Sequence, residues 1–303
     1  MIDRNDVVAA AGRIEGLVRR TPVIEAELLG VPLLLKLELL QHTGSFKPRG
    51  ATNRIRSAAV PAAGVIAASG GNAGLGVAHA ARAVGAPAEI FVPESTPPVK
   101  IARLHDLGAT VQVTGAYYGD AAAACSVRAV ETGALLVHAY DQPEVAAGNG
   151  TVGLELEAYE PDTVLVAVGG GGLAGGIAAA LEGGAKVVAV EPGESQALHA
   201  ALAAGHPVGV SVGGVAADSL GAPQVGDICF SVAVRTGMDS VLVPDEAITA
   251  AQRLLWDELR IVAEPGGATA LAALVCGAYK PEPGERVAVV VCGGNTDPAT
   301  VTA

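Results

Sequence analysis

The fold of this chain is indicated most strongly by Gly64-Val65-Ile66-Ala67-Ala68-Ser69-Gly70-Gly71-Asn72-Ala73-Gly74. This segment begins as an apolar strand, passes through a glycine turn and continues as a helix. Such a turn aims backbone amides and a helix N-terminus at one point, where they can hold an anion. The same arrangement returns at Thr163-Val164-Leu165-Val166-Ala167-Val168-Gly169-Gly170-Gly171-Gly172-Leu173. The two segments predict an α/β protein that binds an anionic group.

The flanking residues extend this alternation. Strands are predicted at 33–38, 65–68, 88–92, 110–114, 135–138, 163–168, 186–190 and 286–291, and helices at 73–84, 97–107, 119–132, 173–181, 194–204, 245–260 and 266–276. Successive strand-helix-strand units favour mostly parallel sheets with right-handed crossovers. A chain of 303 residues usually splits into two domains. We expect a small domain at 41–139 and a large domain made of 1–40 and 140–303. In strand 33–38, Lys36 and Glu38 share one face and should form a structural salt bridge.

A lysine stands between an aromatic ring and a proline in Thr43-Gly44-Ser45-Phe46-Lys47-Pro48-Arg49-Gly50. Most lysines are solvated surface charges, but the chain has only five, and two anion-binding turns accompany this one. Pro48 should keep Lys47 out of the α region. Partial desolvation beside Phe46 would lower the pKa of the amine and make it nucleophilic. Lys47 is therefore the candidate for a covalent bond to a carbonyl compound.

Composition excludes several classes of partner. Half of the residues are apolar, and the net charge is −12 with a pI near 4.9. Binding to nucleic acid or an acidic membrane surface draws on clustered Lys and Arg, so neither partner is expected. The four cysteines lack metal-type spacing, and the N-terminus shows no apolar signal core. We expect a soluble cytoplasmic protein whose anionic ligands are held by amides and helix ends.

Seven short motifs follow one another along the chain. They are Ser45-Phe46-Lys47-Pro48-Arg49-Gly50, Ser69-Gly70-Gly71-Asn72, Gly169-Gly170-Gly171-Gly172-Leu173, Val190-Glu191-Pro192, Ala217-Asp218-Ser219-Leu220-Gly221, Glu264-Pro265-Gly266-Gly267-Ala268 and Cys292-Gly293-Gly294-Asn295. In this order they resemble the motifs of one enzyme family, the pyridoxal-phosphate (PLP) enzymes of the tryptophan-synthase-β type, or fold type II. Within this family, the chain is similar to the serine/threonine dehydratases, above all the liver-type L-serine dehydratase.

The resemblance implies a role for each segment. Lys47 would hold PLP as a Schiff base and then remove the α-proton of the substrate. Asn72 would contact the ring oxygen of the cofactor, and Cys292 would face its pyridine nitrogen. A thiol is a weaker proton partner than a carboxylate, which favours elimination over transamination. The other cofactor contacts would be Phe46, Gly169, Gly170, Gly171, Gly172 and Leu173. The substrate carboxylate would bind Ser69, Gly70, Gly71, Asn72 and Ala73.

The resemblance also implies a cation site and a dimer. Several members of the family bind a cation through a glutamate that corresponds to Glu191. We expect Glu191 and Ser195, with nearby carbonyls, to hold K⁺ or Mg²⁺. The alternative is that Glu191 closes a strand and caps the next helix. Similar proteins are often homodimers.

The implied activity is α,β-elimination from L-serine or L-threonine, which yields pyruvate or 2-oxobutyrate and ammonia. Relatives that racemise serine carry a serine where this chain has Gly70, and many bacterial threonine dehydratases carry histidine where it has Ala73. Hydroxyaspartate or phenylserine as substrate, and β-replacement of the cysteine-synthase kind, remain open. So do a non-enzymatic α/β ligand sensor and an NAD-dependent oxidoreductase, because Gly170-Gly171-Gly172-Leu173-Ala174-Gly175 matches a dinucleotide motif.

Overall fold

Two sheets organise the chain in the computed structural model, which describes residues 1–302. Ala303, the last residue of the predicted large domain, lies outside the described residues. The strands are β1 (Val23–Leu28), β2 (Val31–Leu37), β3 (Val65–Ala68), β4 (Ala88–Val92), β5 (Thr110–Val113), β6 (Leu135–Leu136), β7 (Thr163–Ala167), β8 (Lys186–Pro192), β9 (Asp239–Val243) and β10 (Val287–Val291).

The α-helices are α1 (Arg4–Ile14), α2 (Lys47–Arg56), α3 (Asn72–Ala83), α4 (Pro98–Asp106), α5 (Tyr118–Thr132), α6 (Pro143–Leu156), α7 (Gly172–Ala180), α8 (Ala197–Ala204), α9 (Ala217–Leu220), α10 (Asp227–Thr236), α11 (Asp245–Leu259), α12 (Pro265–Val275) and α13 (Ala299–Thr302). None of these helices, all within residues 1–302, is long and apolar enough to cross a membrane.

The strand order confirms the predicted fold class. The larger sheet runs β1-β2-β10-β7-β8-β9 and the smaller one β5-β4-β3-β6. Every strand pair is parallel except β1 with β2. Strands β7 and β10 are buried along their whole length, as central strands of a parallel sheet are. We call the smaller sheet with α3, α4 and α5 the small unit, and the larger sheet with α7 to α12 the large unit. The four strands of the smaller sheet fall within 41–139; the domain boundaries stay a prediction.

The expectation that Lys47 lies outside the α region is wrong. Lys47 is the first residue of α2, and Pro48 occupies the second position. A proline is tolerated in the first turn because the amide hydrogen that it lacks would have no partner there. Strands β1 and β9 and helices α6 and α10 are among the elements that the sequence pattern did not predict.

A buried ion cluster holds α2 against the large sheet. It joins Lys36 and Glu38 at the end of β2 to Arg49 of α2 and Glu155 of α6. The predicted Lys36–Glu38 salt bridge is present at 3.9 Å, between two side chains that are both fully buried. Because Arg49 lies half a turn beyond Lys47, the cluster fixes the helix that carries the candidate nucleophile.

Candidate active site

Lys47 points into a cavity of about 360 Å³ between the two units. Its Nζ donates a hydrogen bond to the carbonyl of Ala139 at 2.8 Å and lies 5.1 Å from the centre of the Phe46 ring. Burial lowers the pKa of Lys47 from 10.5 to about 8, against the opposing effects of Cys292 and Glu264. The structure therefore provides a half-buried amine that is partly neutral near pH 8.

The glycine turn after β7 presents amides with no partner. Gly171 lies before the first residue of α7 at a φ of 88°, and no side chain caps the helix. Among residues 1–302, no acceptor outside helix α7 forms a backbone hydrogen bond with the amides of Gly170, Gly171, Gly172 and Leu173. A Cβ at Gly170 would lie 2.3 Å from the Tyr140 ring, so the turn has no room for a side chain. Four free amides at a helix N-terminus form a site for a phosphate.

The turn after β3 offers a second set of free amides. The amide of Gly71 donates to Ser69 Oγ at 3.2 Å, whereas the amides of Asn72, Ala73 and Gly74 find no acceptor within the part of the chain that the structure describes. Ser69 through Ala73 line the same cavity as Lys47. A carboxylate in this cavity can accept hydrogen bonds from the first turn of α3.

Cys292 follows β10 and is brought close to Lys47 by the backbone. The amide of Phe46 donates to the carbonyl of Cys292 at 3.1 Å. The buried thiol donates to the carbonyl of Gly266 at 3.3 Å. Burial and the nearby Glu264 carboxylate raise the pKa of Cys292, and Lys47 opposes them only in part. The thiol is therefore neutral at physiological pH.

A smaller cavity of about 40 Å³ joins the segments that the sequence singled out. The lining of this cavity includes Phe46, Lys47, Asn72, Gly169, Gly170, Gly171, Gly172, Leu173, Glu264 and Cys292, with Tyr140, Ser219 and Leu220 beside them. The structure thus brings the proposed cofactor residues of distant segments to one place.

The proposed cation ligands lie in a different environment. Glu191 accepts hydrogen bonds from the amides of Leu198 and His199 at 2.7 and 2.8 Å and from Ser240 Oγ at 2.9 Å. Ser195 Oγ donates to the carbonyl of Gly213 at 3.0 Å. Burial raises the pKa of Glu191 to about 7. The two amides belong to the first turn of α8, so the contacts are those of a helix cap, the alternative considered for Glu191. The cation site stays a prediction.

Sequence reasoning gave no role to Glu264 or Tyr140. Glu264 precedes α12 and accepts a hydrogen bond from Asn72 Nδ2 at 2.6 Å. Burial raises the pKa of Glu264 to about 7, although the Asn72 hydrogen bond favours the carboxylate. The Tyr140 hydroxyl donates to the carbonyl of Gln224 at 3.3 Å. The Glu-Pro-Gly-Gly-Ala motif was visible, but a motif alone does not show which side chain it contacts.

These features suit a phosphorylated cofactor with a carbonyl group: an amine that can bond to the carbonyl, and free amides for the phosphate. The chain belongs to the family described as pyridoxal-phosphate dependent enzymes, whose profile matches residues 14–293. This membership confirms the predicted cofactor and rules out the oxidoreductase alternative.

Individual relatives indicate which enzymes of this family the chain is similar to. The chain is 39% identical over 305 residues to an L-threonine ammonia-lyase of Geobacter sulfurreducens, covering 97% of this chain and 75% of the relative. It is 37% identical over 311 residues to a phenylserine dehydratase of Ralstonia pickettii, covering 97% and 94%. Its structure matches a threonine deaminase of T.th. with a TM-score of 0.91 and 36% identity, covering 98% and 99%. Maize serine racemase matches with a TM-score of 0.92 and 31% identity, covering 99% and 95%. The neighbours confirm fold type II.

Proposed function

We propose that this protein is a PLP-dependent ammonia-lyase that dehydrates a small β-hydroxy amino acid. L-Threonine or L-serine would yield 2-oxobutyrate or pyruvate and ammonia. The observation that carries the proposal is one cavity that contains the Lys47 amine and the uncapped N-terminus of α3, next to that of α7. The relatives named above and an L-threo-3-hydroxyaspartate ammonia-lyase of Pseudomonas sp., 34% identical over 304 residues, support the substrate class.

The cofactor, when bound, supplies an electron sink for the carbanion at the substrate's α-carbon. Lys47 would hold it covalently, and its neutral amine would take the α-proton of the substrate. An amine with a pKa of about 8 is suited to this step, because a useful fraction is neutral near physiological pH. The amides of Gly170 to Leu173 would bind the phosphate, and those of Asn72 to Gly74 would bind the substrate carboxylate.

Two residues favour dehydration over other outcomes. Cys292 is a neutral buried thiol, so it offers the cofactor ring no negative charge and leaves it a moderate electron sink. Gly70 lines the cavity with Lys47, at the position where relatives that racemise serine carry a serine, and glycine supplies no second proton-transfer group. A Cβ at Gly70 would lie 2.8 Å from Thr96 Cγ2, so a serine there would require Thr96 to shift. Elimination needs one base, which Lys47 supplies, whereas racemisation needs a second.

The test is a visible spectrum of the purified protein before and after addition of L-threonine or L-serine, with 2-oxo acid measured in the same sample. We expect a band of bound cofactor and release of 2-oxo acid. Lys47→Ala should lower turnover by at least about 10²–10⁴-fold, the usual contribution of a positioned base, whereas the exposed Lys280→Ala should not change it.

Undiminished turnover in Lys47→Ala would refute the mechanism. A bound-cofactor band without 2-oxo acid from any β-hydroxy amino acid would refute the dehydratase and favour β-replacement. Cytoplasmic location, a homodimer and the cation at Glu191 and Ser195 stay predictions.

A further inference from the structure

Four side chains form a hydrogen-bonded chain across the cleft. Arg103 Nη2 donates to Asn295 Oδ1 at 2.9 Å, Asn295 Nδ2 donates to Asn72 Oδ1 at 2.7 Å, and Asn72 Nδ2 donates to Glu264 Oε1 at 2.6 Å. Arg103 and Asn72 belong to α4 and α3 of the small unit. Asn295 follows β10, and Glu264 precedes α12, in the large unit. Each of these three hydrogen bonds therefore joins a residue of one unit to a residue of the other.

Every amide in this chain has a fixed orientation. Asn295 Nδ2 also donates to the carbonyl of Thr43 at 2.7 Å. If the Asn295 amide were flipped, its oxygen would face the oxygens of Asn72 and Thr43, and its nitrogen would face the Arg103 guanidinium. All three contacts would then be repulsive. Arg103 therefore selects one orientation of Asn295, and Asn295 in turn selects one orientation of Asn72.

The orientation of Asn72 leaves one donor unused. Its amide nitrogen carries two hydrogens, and one of them is taken by Glu264. Asn72 lines both the smaller cavity with the glycine turn and the larger cavity with Lys47. The second hydrogen is the one that can reach a cofactor oxygen there. A flipped Asn72 would present an oxygen to both Glu264 and the cofactor.

We propose that Asn295 and Arg103 are positioning residues that hold the Asn72 amide in the orientation that the cofactor requires. This inference rests on the proposed function and on the role that the family resemblance implies for the Asn72 side chain, a hydrogen bond to the ring oxygen of the cofactor. Neither residue touches the reacting atoms: they act through Asn72. If these hydrogen bonds only joined the two units, removing one of them would lower the stability of the protein without a specific effect on the bound cofactor.

Substitutions at Asn295 and Arg103 can test this proposal, each with a closely matched comparison variant. Asn295→Asp keeps the shape and the acceptor for Arg103 but removes the donors to Asn72 and Thr43. Arg103→Met removes the group that orients Asn295, and Arg103→Lys restores a cationic donor. Arg82→Met is the control, because Arg82 lines the same surface cavity of about 550 Å³ as Arg103 but donates to the carbonyl of Asp106, at 3.4 Å.

The experiment titrates each apo-protein with PLP and records the dissociation constant, the visible absorption and circular dichroism spectra, and kcat and KM for L-threonine. Asn295→Asp and Arg103→Met should weaken PLP binding about tenfold, since each removes one or two hydrogen bonds. They should shift the visible spectrum and lower kcat, with KM within about twofold of wild type. Arg103→Lys should recover most of the loss, and Arg82→Met should behave as wild type.

Wild-type PLP affinity and spectra in Asn295→Asp and Arg103→Met, with only the unfolding midpoint lowered, would overturn the inference in favour of a structural role. Arg103 is exposed, so its variants keep the test valid if Asn295→Asp fails to fold. Failure of the proposed function looks different. The wild-type protein would then produce no 2-oxo acid, while the variants would still weaken PLP binding and so support the positioning role.

Discussion

Replacing Arg49 with methionine should lower the free energy of unfolding by about 3–5 kcal/mol, because it removes one cation from a buried ion cluster. Arg49 is 1% exposed. Its guanidinium donates to both oxygens of Glu38 at 2.8 Å and to the two oxygens of Glu155 at 2.7 and 3.0 Å. Two cations, Lys36 and Arg49, thus face two carboxylates, and the cluster is neutral. Arg49→Met leaves the buried Glu38 and the partly buried Glu155 with Lys36 as the one remaining cation of the cluster.

The pH dependence of this loss has a definite sign. Burial raises the pKa of Glu155, but the hydrogen bonds and charges of Arg49 and Lys36 together hold it below its ordinary value. In the wild type this carboxylate contributes stability above its unfolded pKa, and the contribution is lost as the pH falls through its folded pKa. In Arg49→Met, burial favours the protonated acid, so acid relieves the unpaired charge. The difference between variant and wild type should therefore shrink as the pH falls from 7 to 5.

Chemical denaturation of the apo-protein, followed by circular dichroism at pH 7 and 5, measures both effects. Arg286→Met is the matched control, since Arg286 pairs with Glu160 at 3.7 Å with both side chains exposed. Exposed pairs contribute about 0–1 kcal/mol. If Arg49→Met costs no more than Arg286→Met at pH 7, or if its cost grows in acid, the account of the cluster is wrong.

Two further predictions concern the site. Gly171 and Gly183 have φ values of 88° and 82°, but an added Cβ meets Cys229 Sγ at 2.4 Å only at Gly171, and nothing within 4 Å at Gly183. Gly171→Ala should therefore lose about 1–3 kcal/mol more stability than Gly183→Ala. Of the two variants, only Gly171→Ala should weaken PLP binding. Equal losses of stability in thermal unfolding and equal affinities in PLP titrations would contradict this. Reductive methylation of Lys47 in the apo-protein, followed by mass spectrometry, should be half-maximal near pH 8, because the amine is cationic below its pKa; a midpoint near pH 10 would disprove the desolvation.

The predictable part of the fold lies where the pattern is local. Strands β3 and β4 were predicted at their observed bounds, since apolar runs that end in glycine turns are visible without tertiary information. Helix α6 was missed because its three glycines are unfavourable in a helix. The structure explains them: a Cβ at Gly150 would lie 2.5 Å from the carbonyl oxygen of Gly176, and one at Gly153 would lie 2.9 Å from Ala180 Cβ. Close packing of α6 on α7 overrides the helix propensity.

The candidate site also has a part that the local sequence predicts and a part that it does not. Backbone amides at the ends of β3 and β7 were predictable, because the glycine turn itself creates them. The partners of Asn72 were not, since Glu264 and Asn295 are 192 and 223 residues away. No local period reports such a contact. The first-turn position of Lys47 was mispredicted for a related reason: the preference of a residue before proline is a tendency, and the packing of α2 decides the outcome.

The acidity of the chain does not oppose an anionic cofactor and substrate. The net charge of −12 is spread over the molecule, and salt screens exposed charges over about 10 Å. Within the cleft, the N-termini of α3 and α7 and the Lys47 amine face the ligand, and their fields act at contact distance. Glu264, which accepts a hydrogen bond from Asn72 in the first turn of α3, has its pKa raised to about 7 by burial. Because ionised Glu264 raises the pKa of Lys47, the two groups are coupled: protonation of Glu264 makes the amine easier to deprotonate and also removes a negative charge from the cleft.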